Sequence, residues 1–149
     1  MKTIVRIVVM LGCLKLLGGC TSSAVLNSAV PQESTPSVLL IEQAGIEVQS
    51  ISLSAEGYML DFRYRVVDPS RAAPIMDRTA ECYVIDQKSG TKMTVPTPPK
   101  VGSLRQKTRE PVAGKIYYII FANPGKRVKI EDRVTVVIDD LKIPDMTVR

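Results

Sequence analysis

The chain has 149 residues, 45% of them hydrophobic and 23% charged, with ten Pro, nine Gly, two Phe and no Trp. That length argues for one domain, and the composition for a turn-rich fold with few large aromatic anchors. His is absent; because it is the commonest general base and metal ligand, every Ser-His or Cys-His dyad and every His-ligated zinc site built from this chain alone is excluded.

Residues 1–20 differ in pattern from everything after them. Lys2 and Arg6 form a basic start, Ile7 to Leu14 is an apolar run, and Leu16 and Leu17 follow Lys15. A basic start and a short apolar run make the pattern of a secretory signal peptide. A membrane-spanning helix needs ~20 apolar residues, and this run is shorter and interrupted by Lys15. The segment closes on Leu17-Gly18-Gly19-Cys20. Here the sequence resembles the lipobox of bacterial lipoproteins: an aliphatic residue, two small residues that let extended backbone enter a peptidase groove, and a Cys whose thiol takes a diacylglyceryl group. The resemblance covers residues 1–20. It implies cleavage before Cys20, thioether lipidation there and, in many bacteria, acylation of the new terminus. Thr21, not Asp, follows the Cys; in that family this favours the outer membrane of a Gram-negative host, with the domain facing the periplasm. Cys13, preceded by Gly12, is rejected as the lipidated residue because a cut there leaves too few apolar residues ahead of it.

Such processing (residues 1–19 removed) takes away Lys2, Arg6 and Lys15 and lowers the net charge from +5 to +2. Nucleic-acid binding, which the pI of about 9.2 would suggest, then loses its electrostatic footing. Apart from the lipid-bearing Cys20, only Cys82 remains, so an intramolecular disulfide is excluded despite an oxidising compartment. Cys82 is expected as a small buried hydrophobe in the strand-like run Glu81 to Ile85, with a redox or intermolecular role as the alternative.

Residues 20–36 are small, polar and Pro-containing and read as a lipidated flexible tether. The domain is placed at 37–149. Ser37 would cap a short helix Val38 to Ala44 stopped by Gly45; Val38 to Ile41 as a buried strand is the alternative, and the helix is favoured. From Ile46 on the pattern is β. Ile46-Glu47-Val48 and Ile51-Ser52-Leu53 alternate out of phase, which predicts a bulge near Gln49-Ser50. After a turn at Ala55-Glu56-Gly57, residues Tyr58 to Val66 alternate with a period of two, placing Tyr58, Leu60, Phe62, Tyr64 and Val66 on one face. A loop from Asp68 to about Arg78 follows. Ala80 to Asp86 and Thr91 to Val95 form a hairpin around Gln87-Lys88-Ser89-Gly90.

Pro96-Thr97-Pro98-Pro99 cannot supply ladder donors, so 96–113 is a long connection with a short edge strand near Leu104. Gly114 to Asn123 is apolar on both faces and is expected as a central strand. Asn123-Pro124-Gly125-Lys126 is a turn, Arg133 to Asp139 a strand, and Leu141 to Val148 a last edge strand broken at Pro144. Seven or eight strands with almost no helix predict an all-β fold, an immunoglobulin-like antiparallel β-sandwich, with a small β-barrel as the alternative. The stretches Gly57 to Pro69 and Phe121 to Gly125 also resemble small bacterial lipoproteins with a single immunoglobulin-like periplasmic domain; no activity follows from that resemblance.

Catalytic constellations are missing from this pattern. The adjacent acidic pairs Glu131-Asp132 and Asp139-Asp140 sit at strand ends, where neighbours point oppositely, and a Ca²⁺ site at the latter lacks supporting spacing. Met59, Met76, Cys82, Met93 and Met146 are soft ligands but scattered, so no metal and no cofactor is assigned. Arg63 and Arg65 with Asp61 form one candidate docking stripe, read as a solvated face with charge protecting an edge. Lys100, Arg105, Lys107 and Arg109 form the candidate partner-binding loop, because rigid frames carry recognition on loops. The resulting expectation is a non-enzymatic, membrane-anchored module, held by Cys20, that binds another envelope protein or polymer. A periplasmic small-molecule or metal carrier is the alternative.

Overall fold

The computed structural model describes residues 39–149. The proposed signal peptide and tether, including Cys20, lie outside the described residues. Two four-stranded antiparallel sheets face each other, in the order β1-β2-β3-β6 and β5-β4-β7-β8. Their ranges are β1 Leu39–Ile41, β2 Ile46–Ser54, β3 Met59–Val66, β4 Cys82–Asp86, β5 Lys92–Thr94, β6 Ile116–Ala122, β7 Arg133–Ile138 and β8 Leu141–Thr147. The two sheets remain separate, so this is a sandwich and not a closed barrel. The chain crosses between them at β3–β4, β5–β6 and β6–β7. Among the described residues the one α-helix, α1, spans Pro69–Ala72. Among the described residues, no helix is long and apolar enough to cross a membrane.

Inward residues follow the alternation of the strands. Leu60, Phe62, Tyr64 and Val66 of β3 are buried against Val84, Val134, Val136 and Ile138 of the second sheet. Phe62 and Tyr64 stack with ring centroids 5.7 Å apart, and Tyr64 continues onto Tyr117 at 6.1 Å. The bulge falls between Val48 and Ser50, and it turns both Val48 and Ile51 inward. One extra residue there reconciles the two out-of-phase runs of β2.

Four expectations are corrected. The favoured helix Val38 to Ala44, whose Ser37 cap and Val38 lie outside the described residues, gives way from Leu39 on to β1, paired with β2 from Leu39↔Val48 to Ile41↔Ile46, followed by a 3-10 turn Glu42–Ala44. Seven residues are too few to sustain a helix without tertiary help, and the free edge of β2 offers ladder partners. Gly45 does end the turn, in the left-handed region at φ 57°. A Cβ there would sit 2.6 Å from the Asp68 carbonyl oxygen, so both conformation and space require glycine. Tyr58 does not join the inward face of β3: the 3-10 turn Ala55–Gly57 precedes it, and it stands 55% exposed.

The expected central strand, β6, lies instead at the end of its sheet and pairs only with β3 among the eight strands. Its outward residues Ile116 and Tyr118 are exposed. Its free edge is covered by the connection, where Ile120 N–H donates to Leu104 O at 2.9 Å and Gln106 N–H to Tyr118 O at 3.1 Å. That strap, with the bridge Arg105↔Ile119, is what the short edge strand near Leu104 amounts to. Lastly, β8 continues through Pro144. The proline is tolerated because β8 is an edge strand and because the register shifts opposite it, between Val134 and Val136.

Candidate functional site

The two long connections meet at one end of the sandwich. In the first, Asp68 caps α1: its Oδ1 accepts from Ser70 N–H at 2.9 Å and Arg71 N–H at 3.3 Å, and Pro69 opens the helix. A 3-10 turn Pro74–Met76 follows. Asp77 Oδ1 then accepts from the Thr79 backbone N–H at 2.8 Å and its hydroxyl at 2.6 Å, and these bonds hold its carboxyl below the usual carboxylate range.

In the second connection the turn at Pro98 is closed by Gly102 N–H donating to Pro98 O at 2.8 Å. The strap Leu104–Gln106 then alternates like a strand. Arg105 therefore points inward between Leu104 and Gln106; the alternation ends with the strap, and Lys107 and Arg109 beyond it are exposed.

The inward turn of Arg105 corrects its assignment to a solvent-facing docking loop: it is only 8% exposed. Its guanidinium donates to the Cys82 thiol on β4 and to the backbone carbonyl of Asp77. It thereby pins the second connection both to a core strand and to the first connection. Burial pushes the Cys82 thiol up, and the Arg105 charge and hydrogen bond oppose that only in part. Burial likewise raises the Tyr64 phenol, with Cys82 adding to the effect and Arg105 opposing it. Cys82 is thus protonated at neutral pH and free of any disulfide, as befits a buried hydrophobe.

Beside this pin lies an open depression of about 520 Å³. Asp77, Thr79, Ser70 and Pro74 line it from the first connection, Thr108 and Arg109 from the second, and Asp139 from the β7–β8 turn. Asp139 Oδ1 accepts from Glu81 N–H at 2.6 Å, so that carboxylate is tied to the backbone. A smaller hollow of about 280 Å³, lined by Gln43, Arg71, Ile75, Asp140 and others, opens nearby. Asp139 and Asp140 line different hollows. Among the described residues no group of three or more Cys, Asp and Glu side chains gathers to hold a metal ion.

Of the sequence-predicted loop residues, Arg109 lines the depression, Lys107 is exposed beside the strap, and Lys100 is exposed on the Pro98 turn away from the lining. The Arg63 stripe is internally neutralised, with Arg63 Nη2 2.8 Å from Asp61 and Arg65 Nε 3.6 Å from Glu47. Sequence reasoning missed Asp77, Thr79 and Cys82 as partners of the loop. The available signal was a strand-like alternation through Leu104-Arg105-Gln106, which sets Arg105 on the opposite side from its two neighbours.

Comparisons with protein-family models, curated proteins and solved structures found no match for this chain.

Proposed function

We propose that this protein is a lipid-anchored, non-enzymatic envelope component whose β-sandwich acts as a binding or scaffold module for another envelope protein or polymer. The anchor is Cys20, on the strength of Leu17-Gly18-Gly19-Cys20 and the basic, apolar segment before it. Several acyl chains on one Cys make attachment stable, since each buried CH₂ adds ~0.8 kcal/mol and a single chain is marginal. The domain then faces the periplasm, from the outer membrane where the host is Gram-negative. Its strand order supports an immunoglobulin-like topology: β2, β3 and β6 stand where strands A, B and E stand in such sandwiches, and β5, β4, β7 and β8 where C′, C, F and G stand.

The observation that carries the binding-module reading is the Arg105 pin. It fixes two long connections into one surface, and a surface already ordered loses less entropy on binding a partner. Lys107, Thr108 and Arg109 are the residues this surface offers. Crosslinking in intact cells followed by pulldown from detergent-solubilised envelope tests the reading. A stoichiometric envelope partner recovered with the wild type and lost with Lys107→Glu/Arg109→Glu supports it. A co-purified small molecule in native mass spectrometry, with no macromolecular partner, would replace it with the carrier reading.

A further inference from the structure

At the end of the sandwich opposite Asp77 two turns are locked to each other. Asn123 is fully buried. Its Nδ2 donates to Gly57 O at 2.9 Å and to Val128 O at 2.8 Å, and its Oδ1 accepts from Val128 N–H at 3.1 Å. Its backbone N–H donates to Tyr58 O at 2.8 Å. The β2–β3 turn and the β6–β7 connection are therefore one rigid tip.

That tip exposes two large apolar side chains, as the opposite end also does with Val67 and Val112. Tyr58 is 55% exposed and Ile130 63% exposed. Lys126 lies with its Nζ 4.5 Å from the Tyr58 ring centroid, and Arg127 and Lys129 are exposed beside it. The acidic residues at this end are Glu56, Asp86, Glu131, Asp132 and Asp145; Asp86 is buried and accepts from Lys88 N–H at 3.1 Å, Asp145 lies 3.3 Å from Arg133 Nη1, and Asp132 accepts from Lys129 N–H at 2.7 Å. Apolar tips ringed by long basic side chains suit a bilayer interface. There an aromatic ring sits at headgroup level, and cations keep their heads among phosphates while their stems lie along apolar surface.

The topology orients this tip toward the start of the described chain. β1 runs antiparallel to β2, with Leu39 opposite Val48 and Ile41 opposite Ile46, so the N-terminal end of β1 faces the Tyr58 turn. From Cys20 to Leu39 an extended chain reaches about 60 Å at ~3.3 Å per residue. The tip lies about 20 Å along β2 from Leu39, on the same rise, well within that reach.

We infer that Tyr58, Lys126, Arg127, Lys129 and Ile130 form a contact with the phospholipid interface of the membrane that holds the anchor, leaving the Asp77 end facing away from the bilayer toward its partner. The inference rests on the lipid-anchored reading. Tethering makes even a weak contact count, because the second attachment is intramolecular.

The chain has no Trp, so single-Trp reporters answer the question directly. Full-length lipidated protein carrying Tyr58→Trp, Ile130→Trp or, at the opposite end, Val67→Trp is reconstituted into phosphatidylethanolamine/phosphatidylglycerol vesicles containing brominated lipid. Quenching at positions 58 and 130 at least twofold stronger than at 67 is expected, falling to the level of position 67 when Lys126, Arg127 and Lys129 are all changed to Glu. Equal quenching at both ends, or stronger quenching at position 67, overturns the inference while leaving the anchor intact. Protein that fails to partition into the vesicles at all overturns both.

Discussion

Arg105 is a cation taken out of water without a carboxylate within ion-pair distance among the described residues. Burying a charge is costly unless hydrogen bonds replace its water, and here a thiol and a backbone carbonyl do so. Arg105→Ala leaves the Asp77 carbonyl without its donor and opens a void beside Cys82. It is expected to lower stability by about 2 kcal/mol, read as an earlier urea midpoint at unchanged slope. Lys107→Ala, two residues on and exposed, should change stability by less than about 0.5 kcal/mol. Cys82 adds a pH signature. Its folded value lies above the ordinary 9.0, so above that pH the native state keeps a proton that the unfolded chain releases. Stability therefore falls as pH rises beyond about 9. Cys82→Ala should flatten that part of the alkaline limb in denaturation curves taken from pH 8 to 10; an unchanged slope would place the thiol in an ordinary environment.

β6 shows how an element's role depends on what lies beside it. Ile116 to Phe121 reads as apolar on both faces, yet β6 ends its sheet, and the strap Leu104–Gln106 occupies its outer edge. Unpaired edges template association between chains. Gln106→Pro removes the donor to Tyr118 O and is expected to loosen the strap, giving more concentration-dependent association than the wild type by size-exclusion chromatography with light scattering. Strand β3 was legible because a period of two over its length has one physical explanation, a half-buried strand. The bulge in β2 was legible for the same reason: a phase slip in the alternation has to be absorbed by an extra residue. The place of β6 was not legible, because hydrophobicity records burial and does not say whether a neighbouring strand or a loop provides it. Nor was the burial of Arg105, since its partners Cys82 and Asp77 come from segments distant in sequence, and a basic residue in a Pro-rich connection ordinarily faces water.

For the whole molecule, the sandwich separates two rigid ends. One joins two long connections through Arg105, and the other joins two turns through Asn123. On the reading proposed above, one of these ends turns toward the anchor and the other toward a partner. The proposed anchoring segment rests on a short, local pattern around a single thiol, Leu17-Gly18-Gly19-Cys20, outside the described residues. The sequence points to no particular partner, because recognition depends on loop surfaces that take shape only after folding. Intact-mass spectrometry of the protein purified from the envelope tests the central claim most directly. The account predicts a polypeptide beginning at Cys20 and carrying the added mass of a diacylglyceryl group, with or without a further N-acyl chain; an unmodified chain that retains residues 1–19 would contradict it.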